Sequence, residues 1–171
     1  MPVTTANALT LMLGMQLVAA VPQADELASR ERVNFDFGYR FKLGAVNGTG
    51  DPSSASYDDS GWPLVDAPHD MLIGQQYLEA NGPHEAFLPR NEGWYRKHFT
   101  LPSDWKGSTV WFYTEGIFHV TTAWLNGKQL GVHKSGYTSF GLRLDNVPGA
   151  AFGKENVLAL HVNASFGSGW W

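Results

Sequence analysis

Asn126-Gly127 is the dipeptide that most limits what this chain can fold into. It separates two short runs, Val120–Leu125 and Lys128–Val132, and an Asn-Gly pair between runs of β type is a strong local signal for a hairpin. A type I′ turn needs positive φ at both central residues; Asn tolerates that conformation, and Gly has no Cβ to clash. The first run carries Val120, Thr121 and Thr122, whose branched Cβ atoms suit a pleated surface better than a helix. Ser135-Gly136 signals a second turn. Beyond it, in Tyr137–Asp145, Phe140, Leu142 and Leu144 fall on one face at period two. Three antiparallel strands follow, and with them a β protein.

At 171 residues and 43% hydrophobic, the chain is long enough for one domain with a sizeable core. Its 19 Gly and 9 Pro punctuate many short strands, which favours a sandwich or barrel over a parallel α/β sheet. A net charge of −4 with no Lys/Arg run argues against nucleic acid as a partner, because phosphate binding needs a clustered basic face. With no Cys, disulfides, zinc thiolates and cysteine nucleophiles are excluded.

Ala8–Ala20 (ALTLMLGMQLVAA) is an apolar run of signal-peptide length, too short for a membrane span, with small Val18 and Ala20 placed for cleavage before Val21. Met1–Asn7 holds no Lys or Arg, so an N-terminal helix is the alternative. Residues 1–24 therefore read as a leader and 25–171 as the domain, with secretion as the expected destination. Asn47-Gly48-Thr49 and Asn163-Ala164-Ser165 are glycosylation sequons compatible with that route.

Val33–Leu43 alternates, with Gly38 suggesting a bend, and the polar loop Asn47–Ser60 follows. Trp62–Asp66 reads as a short strand stopped by Pro68. Met71–Glu92 has little periodicity and is far longer than a usual connection, a hallmark of functional loops. Strands resume at Gly93–Leu101, Thr109–Glu115 and Val157–Val162, giving roughly eight or nine in all and closing most economically as a two-sheet jelly roll.

Chemistry alone yields no active site. A retaining glycosidase needs two carboxyl groups about 5–5.5 Å apart, whereas adjacent Asp58 and Asp59 read as a solvated turn with diverging side chains. Glu115, beside Gly116, reads as a cap or surface ion pair. The six His residues show no metal-ligand spacing, and no Ser sits in a nucleophile elbow to complete a triad with His69-Asp70, which reads as loop packing. No residue is assigned a catalytic, metal-binding or cofactor-binding role. The seven Trp residues are too many to bury fully in a domain of this size, and exposed rings beside Asn, Asp and His would suit sugar stacking. For each single Trp, core or sheet-face packing is the plainer reading. Trp170-Trp171, after the flexible Gly167-Ser168-Gly169, is the exception and reads as an uncovered apolar edge, together with Phe166.

Five stretches carry a resemblance: RERVNFDFGYRFKLG (Arg30–Gly44), YDDSGWPLVDAPHD (Tyr57–Asp70), GWYRKHFTLPSDWKG (Gly93–Gly107), Val110–Phe140 with its Trp-Leu-Asn-Gly hairpin, and ENVLALHVNASFGSGWW (Glu155–Trp171). In this order they resemble the N-terminal sugar-binding domain of glycoside hydrolase family 2, the family of β-galactosidases, β-glucuronidases and β-mannosidases. HEAFLPRNEGWYRK is most similar to the β-galactosidase type. The resemblance implies an all-β jelly-roll β-sandwich of the galactose-binding-domain type, truncated before an immunoglobulin-like domain and a (β/α)8 barrel that supplies both catalytic Glu residues. It implies a β-galactoside or related glycoside as ligand and the missing C-terminal domains as partner. In the family a side chain from the loop before the GWYRK strand reaches the sugar, so Asn81, His84 and Asn91 are the candidates here, with Trp170 and Trp171 beside them. Two readings stand: a fragment of a β-galactosidase-like hydrolase, inactive alone, and a self-standing carbohydrate-binding module.

Overall fold

The computed structural model describes residues 30–48, 50–83 and 87–165. The described residues from Asn34 onward form one compact unit of two antiparallel sheets. The larger sheet contains β1 (Tyr39–Leu43), β2 (Leu64–Val65), β3 (Glu92–Thr100), β5 (Val120–Leu125), β6 (Lys128–His133) and β8 (Glu155–Asn163), in the order β2-β1-β3-β8-β5-β6. The smaller sheet pairs β4 (Trp111–Thr114) with β7 (Phe140–Arg143). Glu79–Asn81 and Ser103–Trp105 are single 3₁₀ turns.

The hairpin forms as its turn chemistry requires, with φ of 50° at Asn126 and 80° at Gly127. Asn126 does more than turn the chain. Its Oδ1 accepts the Val157 N–H at 2.7 Å, and its Nδ2 donates to Gly149 O and Asn156 Oδ1, both at 2.8 Å. Asn156, itself buried, passes the network on to Ala151 and Lys154. The turn thereby locks to the start of β8, the strand that sits between β3 and β5.

Alternation builds the core. Tyr39 and Phe41 on β1, Ala123 and Leu125 on β5, and Leu158, Leu160 and Val162 on β8 turn inward. Leu101, Val110, Phe112 and Leu144 meet them from the other side, so one apolar layer joins the two sheets as a jelly-roll sandwich. Central β8 is buried on both faces: Val157 and Ala159 are as inaccessible as the inward row, so its alternation does not mark an exposed side.

Three expectations need correction. Val33–Phe37 is not strand: Gly38, at φ 73°, gives its N–H to Asp66 Oδ1 at 2.7 Å, and pairing begins only at Tyr39. Phe37 accordingly points to solvent, while Phe35 folds onto Tyr39, Phe99 and Phe112. The strand within Tyr137–Asp145 does not extend the hairpin as a third neighbour; as β7 it crosses to the other sheet and pairs with β4. The strand expected over Trp62–Asp66 shrinks to the two residues of β2, because Trp62 buries its ring beside Tyr57 instead. Residues 1–24, Phe166, Trp170 and Trp171 lie outside the described residues, and so does Thr49 of the first sequon.

Candidate functional site

One end of the larger sheet gathers the irregular segments. Pairing of Glu92 with Asn163, of Asn163 with Val120, and of Thr121 with His133 brings four features to the same edge. These are the end of the 71–91 loop, the 115–119 segment, the 134–139 segment and the exit of β8.

The loop is long but well made. Asp70 Oδ1 accepts the Leu72 N–H at 2.7 Å and the Ile73 N–H at 3.3 Å, an Asx-type start. Leu78 N–H donates to Phe87 O and Phe87 N–H donates to Gly82 O, closing an inner turn. Asn81 braces it, its Nδ2 donating to Phe87 O at 3.0 Å. Phe87 itself has φ of 64°, a left-handed conformation rare for an aromatic residue. At the base, Asn91 Nδ2 donates to Gln75 Oε1 at 3.1 Å and its backbone carbonyl accepts the Ala164 N–H at 3.0 Å. One residue thus ties the loop to the strand that leaves the sheet beside it.

Beneath the loop, His69 Nδ1 is 2.9 Å from the Tyr95 hydroxyl, and its ring packs against Phe41 with centroids 4.7 Å apart. Burial depresses the His69 pKa, only partly offset by the Asp70 charge, so the ring is neutral near pH 7. Burial also raises the Tyr95 hydroxyl, with the Asp70 charge adding to the effect. This cluster packs the loop, as expected for Pro68-His69-Asp70. On the opposite face of the sheet, Glu92 Oε2 lies 3.2 Å from His161 Nε2 and 3.5 Å from Asn163 Nδ2. Asn163 Oδ1 accepts both the backbone N–H and the hydroxyl of Ser165, at 2.9 and 2.6 Å.

The other two segments contribute rings. Phe118 and Tyr137 meet edge to face at 5.7 Å, and a Cβ on Gly136 would come within 2.2 Å of the Phe118 ring, so only glycine fits there. His133 stacks on Phe140 at 4.2 Å and lies 3.0 Å from the Thr138 hydroxyl. Sequence reasoning missed this gathering, because the Ser135-Gly136 turn looked like a simple strand connection.

Of the five expected sugar-binding residues, Asn81 and Asn91 sit on this loop with their carboxamides engaged in holding it. His84, Trp170 and Trp171 lie outside the described residues. The Trp rings are mostly structural. Trp62 is buried, and Trp94 stacks on Trp124 at 5.4 Å with His161 against it at 4.8 Å; Trp111 alone among the described ones is more than half exposed.

Asp59 is not the solvated turn residue the sequence suggests. Asp58 is: its Oδ1 accepts the Ser60 N–H at 3.0 Å. Asp59 instead turns inward and takes the Arg96 Nε–H at 2.6 Å, with His98 Nε2 at 3.0 Å. Arg96 lies on the outer face of β3, fully buried by the 51–62 segment, and donates to the carbonyls of Pro52, Ser54 and Tyr57 as well. Burial pushes the Asp59 pKa up, but bonding and charge from Arg96 and His98 outweigh it and hold the carboxyl below its ordinary range. Nothing in the Asp58-Asp59 doublet announced this partner; an Arg on a strand position facing away from the core was the available hint. Among the described residues no group of His, Asp and Glu is arranged to hold a metal ion.

The architecture defines a jelly-roll β-sandwich of the galactose-binding-domain type. No family model matches the chain. It is 32% identical over 143 residues to a β-glucuronidase of Formosa agariphila, covering 80% of this chain and 14% of that protein. It is 31% identical over 148 residues to the β-galactosidase BoGH2A of Bacteroides ovatus, covering 85% of this chain and 17% of that one. The solved structure of a glycosyl hydrolase family 2 member from Bacteroides cellulosilyticus superposes with a TM-score of 0.65 at 31% identity, over 78% of this chain and 17% of its own. The chain belongs to glycoside hydrolase family 2 and corresponds to its N-terminal domain. It spans only about a sixth of the length of these relatives.

Proposed function

We propose that this chain serves as the sugar-proximal N-terminal domain of a family 2 β-glycosidase acting on β-galactosides or related β-glycosides, and that it does not hydrolyse them alone. The observation that carries the reading is its match to β-galactosidases and β-glucuronidases over most of its own length but a small part of theirs. The absence of a carboxylate pair at glycosidase spacing in the sequence reading supports the second half. The 71–91 loop, with Asn81, His84 and Asn91, would form the sugar-facing wall, and Trp170 and Trp171 would lie beside it. In this reading Asn81 and Asn91 act through the backbone they hold. Export through Ala8–Ala20, with glycans on Asn47 and Asn163, belongs to the same proposal; N-terminal sequencing and glycosidase treatment of secreted material test it. No helix among the described residues is long and apolar enough to cross a membrane.

The experiment is a segment exchange. The purified chain should give no turnover of nitrophenyl β-galactoside, whereas BoGH2A whose matching segment is replaced by residues 30–165 should retain activity. Turnover by the isolated chain, lost on mutating one of its own carboxylates, would overturn the reading; so would a folded but inactive chimera.

A further inference from the structure

The outer face of the smaller sheet carries two aromatic rings that the sandwich core does not use. Along β4 the residues alternate: Phe112 turns into the core, while Trp111 and Tyr113 point outward and are 56% and 54% exposed. Two residues apart on one strand, they share a face at a spacing of about 7 Å. Across the ladder Trp111 faces Arg143 and Tyr113 faces Gly141. The indole leans over that glycine, since a Cβ on Gly141 would lie 3.3 Å from Trp111 Cε3. The bare backbone lets the ring lie close against the strand, where a branched side chain would lift it. Arg143 is held in place as well. Its Nε donates to Asp145 Oδ1 at 3.2 Å, its Nη2 bonds Asp145 Oδ2, and Asp145 Oδ1 also takes the Val110 N–H at 2.9 Å.

We infer that Trp111 and Tyr113 form a stacking platform for a neutral, β-linked oligosaccharide, a second glycan site separate from the 71–91 loop. The rings are amphipathic: their negative faces attract the C–H face of a pyranose, while the Tyr113 hydroxyl and the indole N–H can bond its hydroxyl groups. The exposed parts of the two side chains together amount to about 150–300 Å². A stable protein interface takes about 800 Å² from each partner, so the patch is sized for a sugar chain and not for a second copy. Asp145 neutralises Arg143, and exposed Glu115 follows β4, so these groups offer no net positive charge to a uronate. The platform also has a direction. β4 continues from Tyr113 into the 115–119 segment at the loop edge, so a glycan lying along β4 leads to the sugar-facing wall proposed above. The β linkage and this direction rest on the family 2 reading.

The test titrates cellohexaose and β-1,4-galactohexaose into the 171-residue chain by isothermal calorimetry, with hexagalacturonate as the charged comparison. At least one neutral hexasaccharide should bind saturably, and the double variant Trp111→Ala, Tyr113→Ala should weaken that binding by at least about tenfold. Gly141→Val should weaken it too, because the added side chain suits a strand but lifts the indole. Both variants should melt within a few degrees of the parent, because the changed positions are exposed. Equal binding by the parent and the double variant would overturn the inference, as would no binding of either neutral sugar. Preference for hexagalacturonate, lost in Arg143→Gln, would overturn the neutral assignment. Self-association of the parent that the double variant abolishes would make a second copy the occupant and overturn it as well. If the double variant fails to fold, Gly141→Val decides alone. An active BoGH2A chimera without hexasaccharide binding sinks the platform and leaves the family 2 reading intact; binding with an inactive chimera does the reverse.

Discussion

Removing the Asp59 carboxylate should be among the most damaging single changes in this domain. Arg96 has no exposed side-chain surface and Asp59 only 8%. Asp59→Ala would leave a guanidinium buried with three backbone carbonyls but without its counter-charge. Breaking a buried pair by deleting one partner costs about 3–5 kcal/mol. The surviving carbonyl bonds place the expected loss at the lower end, and at roughly 2–4 °C per kcal/mol for a chain of this size the melting temperature should fall by about 6–12 °C. Asp59→Asn, which keeps an acceptor but not the charge, should lose less. The pH dependence has a definite sign. The folded-state pKa of Asp59 is depressed, so its contribution is fully present above the unfolded value, near 3.9, and fades as pH falls through the lower folded value. Urea unfolding of wild type and Asp59→Asn between pH 7 and pH 2 should therefore show a gap that narrows below about pH 4. A melting temperature for Asp59→Ala within about 2 °C of wild type, or a gap independent of pH, would refute the assignment of this pair as a buried clamp.

Two further changes probe the fold. Gly127→Val should cost on the order of 1–3 kcal/mol, because the position is at φ 80° while the space around a new Cβ is ordinary, its nearest neighbour being Ser54 Cα at 3.7 Å; an unchanged thermal midpoint would show that the strain is absent. Thr121 is buried in β5 and its hydroxyl has no hydrogen-bond partner among the described residues. Thr121→Val should accordingly hold or raise stability by up to about 1–2 kcal/mol in denaturant melts, and a clear loss would reveal a partner for that hydroxyl.

By itself the sequence determined the strand content, the Asn126-Gly127 hairpin, the inward rows of Leu158, Leu160 and Val162, and the family. These are local matters: a turn needs particular residues at positive φ, and a half-buried strand writes its burial as period two. Only the tertiary structure decided which strands are neighbours. β7 lies across the sandwich from the hairpin it follows, and β8 pairs with β3 and β5, far from it in sequence. Pairing partners are chosen by closure of the whole sheet, and the alternation of one strand carries no record of the other. The same holds for Asp59 and Arg96. A carboxylate beside another in a polar loop looks solvated until the loop folds onto the outer face of β3 and meets a guanidinium 37 residues away. Long-range polar pairs are set by that arrangement, because a buried charge is tolerated only where the fold delivers its partner.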